Sequence, residues 1–181
     1  MPRAGLDAAA VVAAAARLAD EGGLANVRMG RLAELLGVRT PSLYKHIGGQ
    51  ADLSHRIAVL AVTELTDALR RALSGRDGRD ALAAAAHTIR AYVRRHPGRY
   101  AISSPLPLEP LAAVLHGYRL DPADTVHTLR AMRSLIHGFA TLEAAGGFAM
   151  DTDVDESFEW LISRLDEALR HNRRPTGDRP Q

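Results

Sequence analysis

The chain is expected to be all-helical, on three observations. No segment alternates apolar and polar residues with period two over the length of a strand. β-Branched residues never cluster, whereas Ala and Leu, both strong helix formers, dominate. Glycine pairs and prolines punctuate the sequence at intervals of helix length.

The elements follow from that punctuation. A first helix is expected over 7–21, stopped by Gly22-Gly23, and a second over 29–36, stopped by Gly37. A short helix over 41–47 precedes Gly48-Gly49. The fourth, 51–73, carries Leu53, Ile57, Leu60, Leu65, Leu69 and Leu73 along one side. Ser74-Gly75-Arg76-Asp77-Gly78 then breaks the chain. A helix over 80–96 stops at His96-Pro97-Gly98, and the proline-rich stretch 103–110 reads as irregular. Helices over 110–118 and from Asp121-Pro122 to about 145 come next, the second with Asp as cap and Pro in its first turn. Asp153 and Glu156 resemble a capping box at the start of a last helix over 154–171. The polar tail from 172 to 181 reads as disordered. The organisation expected is therefore a head over 1–50, a helical body over 51–171 and a tail.

Composition narrows the function. With 181 residues and no Cys, disulfide frameworks and thiolate chemistry are excluded, and a reducing cytoplasm fits. The N-terminus has no signal-peptide pattern, and no apolar run is long enough to span a bilayer, so no membrane partner is expected. The eight His have no metal-ligand spacing. Asp151, Asp153, Asp155 and Glu156 fail as a calcium loop, because Glu156 stands where Gly is required. No phosphate loop or nucleophile elbow is present, so neither a cofactor nor an enzyme activity is expected. Residues 1–56 hold seven basic residues against five acids, while the remainder carries sixteen of each. A basic head on a neutral body suits a polyanion, although an ordinary solvated surface would look the same.

The informative segment is Arg28 to Ile47. One helix would present Leu32, Leu35 and Leu36 to a core. Gly37 permits the turn that ends it, with Val38 as a plug. Thr40 would cap the next helix and Pro41 start it, with Leu43 and Ile47 facing inward. Ser42, Tyr44, Lys45 and His46 are left outward. Two helices joined by a tight glycine turn form a helix-turn-helix, whose second helix enters the major groove of double-stranded DNA.

Thr40-Pro41-Ser42-Leu43-Tyr44-Lys45-His46 resembles the recognition helix of the TetR family of regulators, and the likeness extends over about 7–56. It implies that Arg39, Thr40, Pro41, Ser42 and Lys45 enter the groove and that Tyr44 and His46 meet phosphates. Many relatives have Thr where this chain has Arg28, and Lys where it has Gln50. Arg28 would still reach a phosphate, and Gln50 would hydrogen-bond one without adding charge.

The last two helices carry more apolar surface than a core needs. Leu135, His137, Leu142, Phe158, Leu161, Ile162, Leu165 and Leu169 are expected at a homodimer interface, as in TetR-like proteins, or else in an ordinary core. Ile136-His137-Gly138 partly resembles a C-terminal class of the family named for a Trp-His-Gly signature, with Gly138 allowing close approach. A small hydrophobic or amphipathic effector is expected among Tyr92, Tyr100, Ile102, Leu111, Leu115, Met132 and Phe139, positions that serve equally as core. The long fourth helix is expected to be the sole link between head and body. The function implied is a ligand-responsive DNA-binding regulator acting as a repressor. The alternative is a small-molecule-binding helical protein or enzyme with an incidental basic head.

Overall fold

A computed structural model describes residues 6–103 and 108–172; the expected tail beyond Asn172 and part of the proline-rich stretch lie outside them. The described residues form α1 (Ala8–Gly22), a 3-10 turn (Leu24–Asn26), α2 (Met29–Leu35), α3 (Thr40–Leu43), α4 (Gln50–Leu73), α5 (Gly78–Arg95), α6 (Pro97–Ile102), α7 (Leu108–His116), α8 (Pro122–Ala144) and α9 (Val154–His171). They contain no extended strand, as the missing period-two pattern requires.

The helices gather into two compact units, one within Met1–Glu64 and Arg95–Leu106, the other within Leu65–Arg94 and Pro107–Gln181. The expectation that α4 alone links head and body is therefore corrected. The chain also passes from the second unit into the first at the α5–α6 junction, because α6 belongs to the first unit. The sequence pattern does not reveal α6, since Pro97 and Gly98 read as a stop, whereas proline is tolerated in a first helical turn.

In the first unit, α1 starts where the Asp7 carboxylate accepts the Ala10 amide at 2.7 Å, a cap worth about 1 kcal/mol. It ends where Gly23, at φ 72°, donates back to the Ala19 carbonyl. Its alanines bury a small-residue face, and Leu32, Leu43, Leu53 and Ile57, each fully buried, complete the core. Helix α6 docks closely on α1. A Cβ at Gly98 would stand 1.7 Å from the Ala19 carbonyl oxygen, so only glycine fits. The Arg99 amide and Nε donate to Asp20 at 2.9 and 2.8 Å, and its Nη1 donates to Glu64. His96 Nδ1 lies 3.1 Å from the same Asp20 carboxylate.

The second unit is built around a buried arginine. Arg90 of α5 forms a fork to Glu143 of α8, both bonds 2.6 Å, and reaches Asp155 at the start of α9. Its guanidinium lies 4.7 Å from the Phe158 ring centroid and 5.8 Å from that of Phe139. A second buried group pairs the Tyr118 hydroxyl with Asp166 at 2.7 Å; Arg79 and Arg170 balance the carboxylate. Burial pushes the Tyr118 phenol up, with the adjoining carboxylate adding to the shift. Asp121 caps α8 as expected, accepting from the Ala123 amide. Asp153 caps α9 by accepting from Asp155, one residue earlier than a capping box requires.

Candidate nucleic-acid interface

The site is a single helical turn on a buried footing. Helix α2 ends at Leu35, and Gly37, at φ 65°, reverses the chain. Arg39 is extended and forms the cap position of α3 without a side-chain bond. Thr40, expected as the cap, is instead the first helical residue. The helix is also shorter than expected and ends at Leu43, before the 3-10-type bond from His46 N–H to the Leu43 carbonyl. Leu43 and Ile47 are buried at 0% and 2% exposure and anchor this turn in the core. Leu35 does not join them; it is half exposed, and Ala33 is buried in its place.

This footing leaves the predicted side chains outward. Arg28, Arg39, Pro41, Tyr44 and Lys45 are exposed, and Thr40, Ser42 and His46 are partly so. One contiguous stretch thus presents two cations, a phenol and an imidazole around a turn narrow enough for a major groove. Arg28 caps α2 with backbone only, and its Nε donates to the Ala25 carbonyl at 3.3 Å. Arg31, not anticipated as part of the surface, is held by the Asn26 side chain. Gln50 is exposed at the first position of α4. One N–H of its side-chain amide donates to the Val27 carbonyl at 2.7 Å.

The other predicted residues divide between the two units. Tyr100 and Ile102 lie in the first unit, where Ile102 packs on the head core. Tyr92, Leu111, Leu115, Met132 and Phe139 lie in the second unit. Leu111, Leu115 and Met132 are buried core residues, and Phe139 sits in an aromatic cluster with Phe148 and Phe158. Met132 also lines a groove of about 380 Å³ with Ala131, Leu165, Ala168 and Leu169.

The proposed interface set divides by helical phase. Phe158, Ile162, Leu165 and Leu169 are buried within the protomer, because the stripe of α9 that carries them faces inward. Leu135 and Leu142 remain 45% and 52% exposed, His137 is exposed and Leu161 is partly so. Trp160, one residue off that stripe and unanticipated, is 64% exposed. Nothing lies within 4 Å of where a Gly138 Cβ would stand.

Among the described residues, no helix is long and apolar enough to cross a membrane. Residues 82–165 match the family described as the tetracyclin repressor-like C-terminal domain. The chain is 30% identical to the HTH-type transcriptional regulator YobS of Bacillus subtilis, over 89% of this chain and 91% of that one. It is similar in structure to a TetR variant from Acinetobacter baumannii in complex with minocycline: TM-score 0.72, 25% identity, covering 94% and 99% of the two chains. It also shares the fold of BioQ, solved with its double-stranded DNA operator, at TM-score 0.69 and 21% identity over 92% and 99%.

Proposed function

The chain belongs to the TetR family of helix-turn-helix transcriptional regulators, and from that premise we propose that it is a repressor released from its operator by a small molecule. Its relatives are transcriptional regulators rather than enzymes. The observation that carries the reading is the exposed set Arg39, Tyr44 and Lys45 on a one-turn helix rooted by Leu43 and Ile47. Arg39 and Lys45, with Thr40, Pro41 and Ser42, read the groove. Arg28, Tyr44 and His46 hold phosphates. The cytoplasm is where such an operator would be met.

The protein acts as a homodimer. On α8, Ala131, Leu135, Gly138 and Leu142 recur at spacings of four, three and four, as in a helix-packing seam. The three apolar side chains of this seam are exposed. Trp160, Leu161 and Ala168 lie along α9 with exposed or half-exposed surface. Two such pairs related by a two-fold axis make a four-helix bundle, in which Gly138 admits the neighbouring helix.

Release by an effector is supported by the TetR variant solved with minocycline. The α5–α6 junction offers a second route, besides α4, by which a ligand on the body acts on the head. The test is a thermal-shift screen for binders, followed by operator-release titrations. A hit should weaken operator binding, and operator should weaken the hit by the same factor. If no binder changes operator affinity, ligand control is wrong.

A further inference from the structure

We propose that Gln50, Asp52 and Arg56, in the first two turns of α4, are positioning residues that set where the recognition turn stands against DNA. The inference rests on the DNA-binding reading above and assigns these residues no contact with DNA.

A helix of four residues does not hold itself. It has barely one turn of hydrogen bonds, and α3 has no side-chain cap. Leu43 and Ile47 fix its depth in the core but not its tilt. The chain then leaves through Gly48 and Gly49, the second at φ 120°, a permissive joint rather than a brace.

The polar side chains of α4 supply the brace. Asp52 accepts the Gly48 amide at 2.8 Å. Arg56 Nε donates to both Asp52 oxygens at 2.9 Å and holds the carboxylate in place. Gln50 donates across to the carbonyl of Val27, which is 2% exposed and immediately precedes Arg28. One turn of helix therefore clasps the loop after α3 and the segment before α2, the two ends of the reading surface. The Arg56 guanidinium, with the Gly48 amide, holds the Asp52 carboxyl below the usual carboxylate range.

The charge of Asp52 makes the proposal decisive to test. An acid beside a surface that binds a polyanion opposes binding. If Asp52 did nothing else, D52N would bind DNA more tightly. As a positioning residue it should bind operator more weakly despite the lost repulsion. The experiment is fluorescence anisotropy of full-length protein on an operator duplex selected with wild type, and on a scrambled duplex, across a salt series. D52N should lose about tenfold on operator, with scrambled binding unchanged or tighter. Q50M, nearly isosteric, should lose several-fold on operator with scrambled binding unchanged. R56K preserves net charge and should fall between D52N and wild type; it serves if D52N fails to fold by circular dichroism. Operator binding by D52N or R56K equal to or tighter than wild type overturns the proposal. So does a Q50M loss of equal size on operator and scrambled duplex, which would make Gln50 a phosphate contact. Wild type that binds neither duplex would instead sink the regulator reading.

Discussion

Tyr44 and Lys45 sit side by side but should fail differently when changed. With Tyr44 and His46 on phosphates, as proposed, Tyr44→Phe and His46→Ala should weaken binding on operator and scrambled duplex alike. Arg39→Ala and Lys45→Ala should also relax base preference, by about 1–3 kcal/mol for each base-edge interaction removed. Competition binding against single-base operator variants measures this; a uniform weakening for all four would show that none reads a base. Away from the head, Arg90 is the most consequential single residue, with its side chain 8% exposed and Glu143 beside it at 15%. Arg90→Met leaves the partly buried Glu143 carboxylate with only the 3.8 Å pair to Arg94 and should cost about 2–3 kcal/mol in urea unfolding. A change below about 1 kcal/mol would mean the pair is replaceable by packing. Residues of the recognition turn were legible in the sequence because glycine, proline and the Leu43/Ile47 spacing are local signals. Arg90 was not, since its partners are 53 and 65 positions away along the chain, and nothing local marks a buried arginine.

At the scale of elements, α6 shows why a stop signal misleads. Pro97 ends α5 but also starts the next helix, and Gly98 is required by contact with α1 rather than by a turn. Gly98→Ala cannot be absorbed by a side-chain shift, because the obstacle is the Ala19 carbonyl. It should destabilise the first unit by about 1–3 kcal/mol, and more if α6 detaches. Amide exchange would then rise in α6 and the end of α1; unchanged exchange and stability would contradict the docking. The remaining long helices were legible to within two residues because their caps are local. Asp7, Asp121 and Asp153 each accept a backbone amide at the start of a helix. The phase of α9 was not legible. Its stripe from Phe158 to Leu169 is apolar whether it faces a core or a partner, and only packing of the second unit assigns it to the core.

At the scale of the molecule, the homodimer proposal rests on the exposed seam of α8 and α9. Leu135→Glu with Leu142→Glu should give monomers in sedimentation at micromolar concentration and lower operator affinity, without unfolding either unit. A dimer that survives both changes would place the interface elsewhere. Two-fold symmetry then dictates the form of the operator, since two recognition turns must enter major grooves on one face of the duplex. Selection of binding sites from random duplex DNA by the full-length protein reads this directly. The expected outcome is a pseudo-palindrome whose half-sites lie about 34–36 Å apart, or a multiple of that, with enrichment abolished by Arg39→Ala and Lys45→Ala. No enriched sequence at low salt, or an enriched site that survives both changes, would contradict the assignment of residues 28–46 as a DNA-reading surface.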